Sequence, residues 1–384
     1  MAEAPANPYV GPRPFEESEN SVFFGRRAET QQLADLVIAQ RVVVFHAPSG
    51  AGKTSLLKAS LIPTLRRLKR LVVLPITRVS GDLPAELDPA AVANLYVFNT
   101  LVALFGHNAQ AADLAGLSLQ AGVAQWMAPQ PDETRPRPRL LIIDQFEELF
   151  TTHPTRHPER SDFFRQLQEC LVAYPQLSLL LAMREDYIAN LDFYAAQLPD
   201  RLRTRFRIER LSDADALQAI TGPAQRGGRQ FDAGVAEALV DNLRRVQLGE
   251  PDRDMPRVTV ALGAFIEPVH LQIVCRQLWE NLPPDRTLIH AEDVQQFGDV
   301  DQALISFYEN AIEQVCTQTG LSQRRVRAWF NEEVITPART RGLVYRGAEE
   351  TAGLANGAVE ILANAYLIRA DIRGSDIWYE LAHD

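Results

Sequence analysis

The amino-acid sequence predicts an α/β chain in which a parallel sheet carries helices on both faces, followed by a helical domain and a winged helix. Three observations point there. The segments 42–46, 70–79, 140–150 and 177–186 are apolar runs, as expected of strands buried on both faces. Helical patterns separate these strands, and strand–helix alternation implies parallel pairing. From about residue 212 the pattern turns helical, ending in a helix and two short strands around Gly374-Ser375.

Taken in order, residues 1–20 are proline-rich and polar and read as an extended arm. A helix over 27–40 places Leu33, Leu36, Val37 and Ile38 on one side. A strand at 42–46 leads through a loop into a helix from Gly52 to about Leu61, expected to stop near Pro63. "RLVVLPITRV" is the second strand and "AVANLYVFNTLVALFG" a helix. Residues 107–138 lack periodicity and end in a proline-rich surface stretch. "LLIIDQFEELF" is a strand ending in acids, "SDFFRQLQECLVAY" a helix, "LSLLLAMRED" a strand and "RFRIERL" a final strand. Residues 212–300 read as helical, and helices are expected at 301–316, 322–331 and 357–365 before the closing hairpin.

A length of 384 residues allows two or three domains, and 46% hydrophobic with 23% charged residues is ordinary for a globular protein. The net charge of −10 argues against a broadly basic surface that coats nucleic acid. Cys170, Cys275 and Cys316 lie far apart, fit no metal spacing and suggest reduced core thiols. The N-terminus lacks a secretory pattern, and no apolar run approaches the ~20 residues that span a bilayer. The expectation is a cytoplasmic protein with no membrane partner.

The chemistry concentrates in "APSGAGKTS", between a strand and a helix. Pro48, Ser49, Gly50, Ala51, Gly52, Lys53, Thr54 and Ser55 form a phosphate-cradling P-loop, with backbone N–H groups at a helix start and Lys53 reaching the β- and γ-phosphates. Ala47 stands where such loops often have glycine, a difficulty only if its φ is positive. Thr54 and Asp144 are the expected Mg²⁺ pair, Asp144 being the acid at the end of its strand. Glu147 or Glu148 could polarise an attacking water; alternatively these acids cap the next helix. Gln145 follows Asp144 where many fast ATPases have Glu, so hydrolysis is expected to be slow. Arg184 ends a strand at the ligand-binding edge of the sheet, either as a γ-phosphate sensor or paired with Glu185 or Asp186.

"FFGRRAE", "APSGAGKTSLLKASLIP", "LLIIDQFEELF", "LAMRED", "EPVHLQIVCRQLW" and "YELAHD" together resemble the signal-transducing ATPases with numerous domains, the STAND NTPases, in their bacterial novel-STAND branch, relatives of the NACHT and NB-ARC ATPases. The resemblance runs over nearly the whole chain. It implies an AAA+/STAND-like P-loop fold, with an arm at 1–20, a nucleotide-binding domain at 21–211, a helical domain at 212–300 and a winged helix at 301–384. It implies Phe24, Gly25 and Arg26 near adenine, Pro268 as an adenine-side contact, and His383 touching the ADP β-phosphate to hold a closed state. It also implies ATP/ADP with Mg²⁺ as cofactors, self-association when ATP is bound, a role in bacterial signalling or defence, and a C-terminal sensor domain absent from this chain.

Two features leave another class open, a DNA-binding AAA+-like regulator or initiator. "LPDRLRTRFRIERL" resembles a box with a trans-acting arginine, which would be Arg205 or Arg201; pairing of a basic strand edge with Glu209 is the alternative. Arg324, Arg325 and Arg327 lie on the winged-helix region, where in this family the element usually works as a lever. Nucleic acid is the less favoured partner.

Overall fold

The computed structural model describes residues 6–81, 83–84, 87–128, 137–152, 156–248, 259–336, 342–373 and 376–382. Its centre is a five-stranded sheet in the order β2-β3-β4-β1-β5, with β1 Val42–Ala47, β2 Val72–Val73, β3 Arg139–Ile143, β4 Leu177–Arg184 and β5 Arg205–Arg207. All four pairings are parallel. Successive residues serve opposite faces: Val43, Phe45, Leu140, Ile142 and Leu180 join one apolar cluster, while Val42, Val44, Leu141, Ile143, Leu179 and Leu181 join another. Burial of both faces is why these strands read as unbroken apolar runs. The helix Arg27–Ala39 covers the first face, and Leu95–Phe105 with His157–Ala173 covers the second.

The helix after the phosphate loop departs from expectation. It does not stop at Pro63 but continues to Leu68, through a π-helical turn at Leu57–Leu61. Pro63 has no N–H to offer the carbonyl four residues back, that of Ala59. The Asn20 side-chain amide donates to that oxygen instead, at 2.6 Å. A side chain from the arm thus repairs the break that proline makes. The second strand is also shorter than expected, two residues plus a bridge from Thr77 to Ile143.

A third cluster gathers Tyr9 with Ile220, Leu239, Leu271, Val274, Trp279 and Ile289, from the helices Asp213–Arg226, Val235–Leu243, Pro268–Asn281 and their neighbours. The 212–300 stretch is not helical throughout: Arg245–Leu248 and Thr259–Leu262 pair as an antiparallel hairpin. A fourth cluster holds Ile312, Val326, Trp329, Val359, Leu362, Ile368 and Tyr379. Its helices are Val300–Thr319, Gln323–Trp329 and Asn356–Asn364, beside a sheet in which Asp376–Leu381 lies between Val344–Tyr345 and Ile368–Arg373.

Asn20→Ala is expected to cost about 1–2 kcal/mol, the effect of leaving a buried carbonyl unpaired. In a Pro63→Ala background, where an N–H at position 63 can serve Ala59, the same change should cost clearly less. Urea denaturation of the four proteins in this cycle checks both statements.

Candidate functional site

The largest convergence of sequence-predicted residues lies at the C-terminal edge of the sheet. Because β4 lies between β1 and β3, with Ala47 opposite Arg184 and Ile143 opposite Leu181, the phosphate loop, Arg184 and Asp144 share one edge. They line one cavity together with Phe24, Arg26, Ser49 to Ser55, Glu147 and Pro268.

The loop turns through Gly50 at φ 76° and Gly52 at φ 92°. A Cβ at either would meet nothing within 4 Å, so the demand for glycine is purely conformational. Ala47 is instead the last residue of β1, fully buried and outside the left-handed region, so its methyl group causes no strain. Pro48 lies in the loop but does not line the cavity.

Lys53 begins the helix, its Nζ 3.4 Å from the Ala47 carbonyl. Burial pushes its pKa down, while the carboxylates of Glu147 and Asp144 pull it up. A cation held in this way beside an open cavity favours an anionic ligand. Thr54 Oγ1 donates to Asp144 Oδ2 at 2.7 Å, and the Gln145 N–H donates to Asp144 Oδ1 at 2.9 Å. Asp144 itself is only 1% exposed. Among the described residues, no three or more His, Cys, Asp or Glu side chains could cage a metal. Thr54 and Asp144 offer one hydroxyl and one carboxylate, the partial set that fits a Mg²⁺ shared with phosphate oxygens and water.

Gln145 occupies the left-handed region at φ 54°, which for a non-glycine costs roughly 1–2 kcal/mol. Beyond this turn Phe146 is fully buried, its N–H bonded to the Ala182 carbonyl, and the two acids part company. Glu147 lines the cavity and accepts the Arg184 N–H at 3.1 Å. Burial raises its pKa, against the pull of Lys53. Glu148 is not among the lining residues; it accepts a hydrogen bond from the Ser80 hydroxyl. Burial raises the Glu148 pKa to about 7. Arg184 lines the cavity and pairs with Asp186 at 2.8 Å, the ion pair that the sequence offered as one of its two readings.

The "FFGR" residues divide their work. Phe24 lines the cavity, pressed so closely by the helix Asp213–Arg226 that a Cβ on Gly222 would lie 2.5 Å from its ring. Gly25, at φ 80°, lies outside the lining and serves packing, since a Cβ there would come within 2.3 Å of the Asp215 carbonyl oxygen. Arg26 is 5% exposed and clamps the loop: it pairs with Glu29 at 2.7 Å and donates to the carbonyls of Ala51 at 3.1 Å and Glu209 at 2.6 Å. Pro268 opens the helix Pro268–Asn281 and lines the cavity, as do the apolar Leu211 and Ala219.

His383 lies outside the described residues. One residue the sequence did not single out reaches the loop from the C-terminal sheet. Arg369 lines the cavity and donates to the Ser49 hydroxyl, while its Nε donates to Glu380, its cross-strand partner, at 2.7 Å. In sequence, an arginine opposite a glutamate on a short hairpin looks like an ordinary cross-strand ion pair. Arg205 pairs with Asp192 at 2.6 Å rather than with Glu209, whose partner is Arg207. Arg201 occupies the left-handed region at φ 52°. Arg325 donates to the Gly353 carbonyl and Arg327 pairs with Glu309, so both are engaged within the C-terminal unit.

A raised carboxyl pKa stabilises the fold at low pH. The folded state of Glu148 holds its proton from its ordinary pKa of 4.5 up to about 7, and that stabilisation is lost as pH rises through this window. Glu148→Gln, which keeps a neutral partner for Ser80, should therefore show a flatter fall in denaturation midpoint across the same window than the wild-type chain.

The family model for novel STAND NTPase 1 matches residues 8–384. No curated protein matches the chain. Solved structures that it resembles include the ORC2 protein of Aeropyrum pernix in ADPNP–ADP complexes, at 14% identity and TM-score 0.48, covering 98% of this chain and 93% of that one. Another is a Walker-type ATPase of Pyrococcus abyssi, at 12% identity and TM-score 0.46, with 96% of each chain covered. The RuvB Holliday junction branch migration motor of Thermotoga maritima has 13% identity and TM-score 0.39, covering 95% of this chain and 94% of its own. With a phosphate loop, an acid at the end of the third strand and a family match over almost its entire length, the chain belongs to the novel STAND NTPase 1 family.

Proposed function

We propose that the chain is an ATP/ADP-operated switch in which the C-terminal unit closes onto the phosphate end of the nucleotide cavity. The observation that carries this reading is the bond from Arg369 to Ser49, which ties the closing hairpin to the phosphate loop. The same strand, Ile368–Arg373, also packs against the short helix Glu148–Thr151 that follows Asp144. A cation from one unit beside the phosphate site of another makes their separation depend on the charge and length of what is bound there. We take 1–20 as the arm and 21–211, 212–300 and 301–384 as the moving units, the last being a winged helix used as a lever.

In this reading ADP holds the closed form, and ATP with an upstream signal opens it and permits self-association. A shift from mostly closed to mostly open needs a preference of ~10⁴-fold, or about 5.5 kcal/mol. One charge-assisted contact supplies roughly 1.5–3 kcal/mol. Nucleotide exchange alone is thus too weak to throw the switch, and a second input is required. A Mg²⁺ held by Thr54 and Asp144 would neutralise phosphate charge. Glu147, facing the cavity with a raised pKa, is the candidate base, and hydrolysis returns the switch to its ADP form. The absence of Glu directly after Asp144 supports slow turnover.

Arg369→Ala is expected to speed dissociation of a fluorescent ADP analogue by roughly 10- to 100-fold, the loss of one charge-assisted contact. The same variant should be larger by small-angle scattering. An unchanged off-rate with unchanged dimensions would overturn the closure mechanism. For hydrolysis, Glu147→Gln should lower turnover by about 10²- to 10⁴-fold with ADP affinity kept, whereas Glu148→Gln should leave turnover nearly intact. A phosphate-release assay separates the two.

A further inference from the structure

The N-terminal arm is anchored at both ends, on two different units, and crosses the cavity between them. At its first end it belongs to the helical cluster. Tyr9 is 2% exposed, its hydroxyl donates to the Ile220 carbonyl, and its ring meets Trp279 edge-on at 6.0 Å. The Val10 N–H donates to Gln272 Oε1 at 3.1 Å, and Arg276 donates to the Val10 carbonyl at 3.1 Å. Gly11, at φ 82°, lets the chain pass close over the Arg276 side chain.

At its second end the arm belongs to the phosphate-loop helix. Phe15 is buried against Ala59 and edge-on to Phe23 at 5.1 Å. The Phe15 N–H donates to the Ser55 hydroxyl at 3.2 Å, one residue beyond Thr54. Between the anchors lie only Pro12, Arg13 and Pro14, all lining the nucleotide cavity. Two prolines with fixed φ make this span stiff, and Arg13 is further held by an ion pair to Glu19.

We propose that residues 9–15 form a strap that closes the base end of the nucleotide cavity and couples docking of the helical unit to the phosphate-loop helix. This rests on the nucleotide reading above and extends it to the arm. The ligand part is the planar, uncharged base of a nucleoside di- or triphosphate. Pro12, Pro14 and Phe15 line the cavity together with Phe24 and Pro268 and offer the base apolar surface, whereas the cationic Lys53 and Arg369 attract phosphate. A base seated there bridges strap and helical unit at once, so the strap affects binding of a nucleotide but not of a bare phosphate chain.

The test uses the full chain, Pro12→Gly/Pro14→Gly, which slackens the span without touching its anchors, and Gln272→Ala, which cuts one anchor. Affinity for ADP and for inorganic tripolyphosphate is measured by calorimetry, with amide hydrogen exchange at Val10 and Phe15. Both variants should bind ADP roughly tenfold more weakly, the scale of a lost stacking surface, with tripolyphosphate affinity unchanged. In the wild-type chain ADP should slow exchange of both amides, and tripolyphosphate should leave Val10 unaffected. Unchanged ADP affinity in both variants would overturn the strap, as would equal weakening for ADP and tripolyphosphate. Lys53→Ala tells the two claims apart: it should abolish binding of both ligands, and if it binds both as well as the wild-type chain does, the nucleotide reading falls and the strap with it.

Discussion

A half-buried lysine ammonium beside an open cavity is the constraint around which this molecule is arranged. Lys53 loses hydration at the end of β1, and the Ala47 carbonyl, Asp144 and Glu147 offset only part of that loss. An anion entering the cavity completes the balance. Everything that fixes Lys53 follows from the sheet order, because only with β4 between β1 and β3 do the loop, Arg184 and Asp144 meet at one edge. Strain is accepted at the same place, in the left-handed Gln145 that directly follows Asp144.

Around that point single polar side chains tie distant segments of the chain together. Arg26 ties the loop to the strand edge through the carbonyls of Ala51 and Glu209. Asn20 serves the carbonyl that Pro63 leaves without a donor. Arg369 reaches Ser49 from the C-terminal hairpin. Such bonds are individually worth about 1 kcal/mol, more when charged, and more still where their loss leaves a buried group unpaired. Of these, the Arg369 bond is the one on which the proposed closure depends.

The sheet, the loop and Asp144 are legible in the sequence because they are local. Apolar runs report burial on both faces, and "SGAGKT" carries its own backbone geometry. Ala47 is legible as harmless once its place inside the strand is known. What stays hidden depends on contact between distant segments. Arg369 has no sequence signal separating it from an ion-paired strand residue, since its partner Ser49 lies 320 positions away. The helix running on past Pro63 needs Asn20 from another element. Glu147 and Glu148 are alike in sequence, and as neighbours at the start of the helix Glu148–Thr151 they point in different directions, one to the cavity and the other to Ser80. The paired strands Arg245–Leu248 and Thr259–Leu262 sit between the helices Val235–Leu243 and Pro268–Asn281, and periodicity over so few residues does not distinguish them.

The most direct test of the account is to denature the purified chain and identify the released nucleotide by anion-exchange chromatography. A closed switch with a half-buried lysine lining its cavity should carry ADP through purification, close to one per chain. A chain that releases no adenine nucleotide would contradict the claim that ADP holds this closed arrangement.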